Sequence, residues 1–96
     1  MYAVAIIRYR RPLEEVLPHQ EPHRAYLRGL KERGLLIASG PMHPRFGGML
    51  LLRVNDDDTL ALDNIRDNDP FVINGVAQYE LFGWAPVIGK EDLDRL

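Results

Sequence analysis

Hydrophobic positions along this chain switch between an extended and a helical period, and the switches mark its elements. Residues 2–9, Tyr-Ala-Val-Ala-Ile-Ile-Arg-Tyr, place Tyr2, Val4 and Ile6 on one face of an extended segment and Ala3, Ala5 and Ile7 on the other. A strand apolar on both faces belongs at the centre of a sheet. Arg10-Arg11-Pro12 breaks it, and residues 13–20, with Pro18 near their end, form a connecting stretch with room for one helical turn. The period then becomes helical. Tyr26, Leu27 and Leu30 share one side, while Arg24, Arg28, Lys31, Glu32 and Arg33 form the wet side. Pro22 suits a first helical turn, where a missing N–H costs nothing, and Gly34 suits the C-terminal cap. The spacing predicts a helix from about Pro22 to Gly34, with His23 at its second position.

Leu35-Leu36-Ile37-Ala38-Ser39 is a short apolar run that meets Gly40-Pro41 and reads as a buried second strand. Met49-Leu50-Leu51-Leu52-Arg53-Val54 is a third, and residues 44–48 form the bend of an antiparallel hairpin between them. Asn55-Asp56-Asp57-Asp58 supplies caps and negative charge for a helix over about 58–67 with an apolar stripe of Ala61, Leu62 and Ile65. Asp69 precedes Pro70 and is pushed out of the α region, which ends that helix. Val76–Phe82 alternates and predicts a half-exposed fourth strand, followed by an extended stretch over 83–88 and a short terminal helix over 90–96. The order β-α-β-β-α-β predicts an α+β, ferredoxin-like fold with a four-stranded antiparallel sheet and both helices on one face. The chain reads as one domain, residues 1–96, with a core over 1–86 and a tail over 87–96. Nothing in the sequence is assigned to the other face of the sheet, so a homodimer joined through that face is expected.

Composition narrows the function. Twelve Lys and Arg against fourteen Asp and Glu leave no positive field for a phosphate backbone, so a nucleic-acid partner is not expected. With no cysteine, disulfides, thiolate metal sites and cysteine nucleophiles are excluded. The apolar start is too short for a signal h-region or a membrane span, and a cytoplasmic, membrane-free protein is expected.

His23 and Asp69 supply the parts of an acid–base site: a ring nitrogen that can accept a proton, and a carboxylate that can fix its tautomer. Each has a plain structural alternative, as a surface helix residue and as a pre-proline turn residue, and Asp67 is a nearby competitor for the carboxylate role. Ser39 lacks a second histidine to activate it and is expected to hydrogen-bond a ligand or the pair, or simply to end a strand. Gly40 and Pro41 shape the backbone beside it. Tyr26, one turn after His23, and Tyr9, at the end of the first strand, are further candidates to line a pocket. His19 lies four residues before His23, but Pro22 between them argues against a shared metal site, and His43 is expected to face solvent. Arg8, Arg10 and Arg11 either pair with Asp57 and Asp58, hold an acidic substrate, or form a solvated strand end.

His23-Arg24-Ala25-Tyr26-Leu27, the segment Gly34 to Pro41, Gly47-Gly48, Asp69-Pro70-Phe71, Gly75 and Trp84 together resemble the YCII-related (YciI-like) family from Met1 to about Pro86. The resemblance implies a dimeric α+β barrel similar to that of the muconolactone isomerase group, with a pocket in each subunit. It also implies a catalytic His–Asp pair mapping onto His23 and Asp69, with Ser39 and Gly40 nearby. One branch of the family removes chloride from a chlorinated hydroxyhydroquinone. Pro44-Arg45-Phe46 and the charged tail from Lys90 depart from the usual pattern. The expected function is therefore a cofactor-free, metal-free enzyme of lyase, isomerase or dehalogenase type acting on a small aromatic or enolisable molecule. The alternative is a non-catalytic dimeric module that binds a metabolite or another protein.

Overall fold

In the computed structural model, which describes all 96 residues, Tyr2–Tyr9 forms strand β1 at the interior of the sheet. It is followed by a helical turn α1 (Leu13–Val16), a 3-10 turn (Leu17–His19) and helix α2 (Gln20–Glu32). Then come β2 (Leu36–Pro41), β3 (Gly47–Arg53), α3 (Ala61–Asp67), α4 (Pro70–Ile73), β4 (Ala77–Trp84) and α5 (Lys90–Asp94). The strands run in the order β2-β3-β1-β4 and every neighbouring pair is antiparallel. This is the ferredoxin-like arrangement that the β-α-β-β-α-β pattern implies.

Register assigns the faces. Ala3, Ala5 and Ile7 lie opposite Leu52, Leu50 and Gly48 on β3, and Ala5 and Ile7 lie opposite Leu81 and Tyr79 on β4. These residues form the inner face, which packs with Val16, Leu27, Leu30, Ile65 and Phe71 into one core. The outer face carries Val4, Ile6, Met49, Leu51 and Phe82, interrupted by the cross-strand pair Arg8–Glu80. Arg8 therefore pairs within the sheet, with its guanidinium 5.1 Å from the Phe46 ring centre, and not with Asp57 or Asp58. The outer face is also not bare along its whole length. Tyr2 and Arg53, opposite one another at its end, bind the tail: the Tyr2 hydroxyl donates to Asp94 at 2.5 Å and Arg53 Nη1 donates to the Leu93 carbonyl at 3.2 Å. Composition alone gave no reason to send α5 to that corner.

Helix α2 begins two residues before Pro22. The first four N–H groups of a helix have no intrahelical acceptor, so a proline at the third position is as harmless as one at the first. His23 thus stands at the fourth position, and His23, Leu27 and Leu30 form the buried stripe. The helix closes with a paired motif: Gly34, at φ 76, donates to the Lys31 carbonyl and Leu35 donates to the Leu30 carbonyl. Strand β2 differs from the expected buried strand. It lies at the sheet edge, only Leu36 is buried, and a bulge between Leu36 and Ala38 shifts its register. Strand β4 runs on through Trp84, two residues past the alternating segment. No helix is long and apolar enough to cross a membrane.

Strands β1 and β3 leave no room for a side chain at Gly47, where an added Cβ would sit 1.7 Å from the Ile7 carbonyl oxygen. Gly47→Ala must push two central strands apart and is expected to lower stability by roughly 1–3 kcal/mol or more in urea unfolding. Gly83→Ala, with nothing within 4 Å of the new methyl, is expected to stay within about 0.5 kcal/mol of wild type.

Candidate acid–base site

Asp69 has two structural duties at one position. Pro70 forces it into extended backbone (φ -73, ψ 127), which ends the α3 segment and makes it the N-cap of α4. Its Oδ1 accepts the Phe71 N–H at 2.9 Å, so the four-residue helix that sequence periodicity was too short to reveal is fixed by this carboxylate. Asp69 is fully buried. A carboxylate in that setting needs further donors, and it has them in His23 Nδ1, 2.8 Å from Oδ1 and 2.9 Å from Oδ2, and in the Tyr79 hydroxyl, which donates to Oδ2. Burial, the Asp69 charge and this hydrogen bond all push the Tyr79 phenol above its ordinary pKa, so it stays a protonated donor. No buried side-chain nitrogen or oxygen is left without a partner.

His23 reaches Asp69 because it occupies the buried stripe of α2 one turn before Leu27. Its ring lies flat on Phe71, with centroids 3.9 Å apart and planes at 5°, and Tyr9 meets Phe71 edge-on at 6.1 Å. In the neutral tautomer that carries its proton on Nδ1 and donates it to the carboxylate, Nε2 is the lone-pair nitrogen. It has no partner in the chain and, since nothing buried is unsatisfied, it is the accessible edge of a ring that is otherwise enclosed. That edge borders a cavity of about 230 Å³ between α2, the ends of β1 and β3, and β2. The imidazole is clamped on two sides, by a carboxylate at Nδ1 and an aromatic face, and open at the third.

Ser39, Gly40 and Pro41 line this cavity, as does Tyr9. Ser39, exposed at the cavity rim opposite Leu50, makes no hydrogen bond to the His–Asp pair. Tyr26 does not line the cavity. Its hydroxyl donates to the Ile65 carbonyl at 2.7 Å and joins α2 to α3, because its direction on the helix is toward α3 and not toward the sheet edge. Burial, with a smaller effect from Asp69, raises its pKa. Asp67 is exposed and bonded to Arg66 at 2.8 Å, away from His23. His43 is exposed, and no group of three or more His, Cys, Asp or Glu side chains is placed to hold a metal ion. Tyr79 is the member of the site that sequence reading missed. Its signal was an inward-facing tyrosine in an alternating strand, whose hydroxyl needs a polar partner inside.

The arrangement can accept a proton at Nε2 and stabilise the resulting imidazolium through Asp69. The model of the YCII-related domain matches residues 1–85. No curated protein matches the chain by sequence. Among solved structures, the chain is similar to 5-chloro-2-hydroxyhydroquinone dehydrochlorinase from Burkholderia phenoliruptrix AC1100 in complex with 2,5-dihydroxybenzoquinone. The TM-score is 0.74 at 22% identity, covering 92% of this chain and 97% of that one, a likeness of fold.

Removing one donor from a buried carboxylate leaves its charge under-satisfied. Tyr79→Phe is therefore expected to lower unfolding free energy by about 1–3 kcal/mol in chemical denaturation. Asp67→Asn, at an exposed position, is expected to change it by no more than about 0.5 kcal/mol. Equal effects at the two positions would mean that the Tyr79 bond contributes nothing.

Proposed function

The chain belongs to the YCII-related domain family, and we propose that it is a cofactor-free enzyme whose His23, oriented by Asp69, moves a proton on a small aromatic or enolisable molecule. The observation that carries this reading is the single open nitrogen of an imidazole whose other nitrogen is bound to a buried carboxylate, at the wall of a cavity of about 230 Å³. Nε2 takes a proton from a carbon next to a carbonyl, or from a ring hydroxyl, and Asp69 balances the imidazolium through Nδ1–H. Returning that proton to a different carbon completes an isomerisation. Alternatively, the electron pair left on the substrate expels a leaving group such as chloride, which completes an elimination. The solved dehydrochlorinase of similar fold, with its dihydroxybenzoquinone ligand, supports the second outcome and a flat oxygenated ring as occupant. Ser39 offers a hydroxyl to such a ligand, and Gly40 and Pro41 shape the wall beside it.

The working form in this reading is a homodimer joined through the outer sheet face. Val4, Ile6, Leu51 and Phe82 lie side by side there, and Phe82 is 50% exposed in the single chain. Arg8 and Glu80 lie within this face and neutralise each other.

In deuterated water, with a panel of enolisable carbonyl compounds and hydroxylated aromatics, the wild-type chain is expected to exchange a carbon-bound proton of at least one compound. His23→Gln is expected to slow that exchange by about 10²–10⁴-fold, read by proton NMR. Equal exchange in both chains would sink the catalytic assignment, and binding without any exchange would favour a metabolite-binding module. For the assembly, Phe82→Asp is expected to turn a dimer into a monomer in size-exclusion chromatography with light scattering. A monomeric wild-type chain at micromolar concentration would remove the sheet-to-sheet dimer.

A further inference from the structure

Every charged side chain on the wall of the His23 cavity, His23 itself apart, is a cation. Arg24 from α2 and Arg45 from the β2–β3 bend line it, and no Asp or Glu does. This is unexpected for a chain whose formal net charge is -2. Neither guanidinium forms an ion pair, whereas Arg8, Arg28, Arg66 and Arg95 all have carboxylate partners. Each is instead held by a neutral oxygen. In the amide orientation that satisfies both groups, the Gln20 oxygen accepts from Arg24 Nε at 3.3 Å and Nη1 at 3.2 Å, and the Tyr9 hydroxyl accepts from Arg45 Nε at 3.2 Å. Gln20 and Tyr9 also line the cavity. Asp69 does not line it and is fully buried beside His23 with three donors, and Glu21 on α2 is paired with Arg28 outside it. A neighbouring groove shares Arg24 and adds Lys31, which has no carboxylate partner, and Arg28, which is paired with Glu21.

Neutral anchors position a guanidinium without cancelling its charge, and a guanidinium so placed presents its remaining N–H donors to an oxyanion. We propose that the cavity selects a substrate bearing a negative charge, a carboxylate or an ionised ring hydroxyl, held between Arg24 and Arg45 with its reacting carbon or oxygen toward His23 Nε2. The proposal rests on the same site as the proton-transfer reading and adds to it the class of substrate. It also gives Arg45, in the bend between β2 and β3, a role in substrate selection. An anionic ligand whose charge grows on deprotonation would be met by cations already in position.

The test separates charge recognition from turnover. Benzoate, 4-nitrophenolate and the neutral isostere benzamide are titrated into the full chain at pH 8 and low salt, with binding followed by calorimetry. Benzoate or 4-nitrophenolate is expected to bind at least tenfold tighter than benzamide, with the preference shrinking at high salt. Which of the two anions binds better identifies the oxyanion as carboxylate or ring oxygen. Arg24→Gln and Arg45→Gln are each expected to weaken anion binding about five- to tenfold while leaving benzamide binding and thermal stability unchanged. Arg10→Gln, an exposed arginine outside the cavity, is expected to change nothing. His23→Gln is expected to keep the anion preference, so a failure of proton transfer leaves this result standing. Equal affinity for benzoate, 4-nitrophenolate and benzamide, or an anion preference that survives the double change R24Q and R45Q, would overturn the proposal.

Discussion

A carboxylate cut off from water must be surrounded by donors, and much of this protein's architecture follows from how Asp69 meets that demand. Its donors come from three different elements, one of them 46 residues away in sequence: the α2 ring of His23, the Phe71 N–H of its own short helix, and the β4 hydroxyl of Tyr79. The first belongs to the first half of the β-α-β-β-α-β order and the other two to the second half. The bonds therefore join the two halves at a single buried point, where the low dielectric makes each of them count. The same bonds leave the imidazole with one open nitrogen. The contact that satisfies the buried carboxylate is also the one that orients the ring.

Most of the fold was legible in the sequence because its elements differ in period and are separated by clear stops. Gly34 ends α2 in the left-handed conformation that few other residues adopt, and Pro70 fixes Asp69 in extended backbone. What escaped reading depended on partners distant in the chain. Leu35 to Ser39 are apolar enough for an interior strand, yet β2 lies at the edge, because strand order is set by how the whole sheet assembles. The tail helix found Tyr2 and Arg53 through hydrogen bonds that no local pattern encodes.

The site divides in the same way. The residue types of His23 and Asp69 marked them as chemically able, but their burial decided between a solvated pair and an enclosed one. A signal for His23 was present: it continues the Leu27 and Leu30 stripe one turn toward the N-terminus. Tyr26 sits on the same helix only three residues on, yet its side chain leaves that stripe and joins α3. Tyr79 had no such marker, because a tyrosine in an alternating strand is common and only the position of Asp69 gives its hydroxyl a purpose.

The parallel stacking of His23 on Phe71 also has a magnetic side. Protons on an imidazole that lies flat over a benzene face sit in the shielding cone of its circulating electrons, and no ring packs in this way over His19 or His43. The resonances of His23 are therefore displaced from those of the other two histidines in the chain. The ring that faces the cavity carries its own spectroscopic label, supplied by the same aromatic contact that holds it in place.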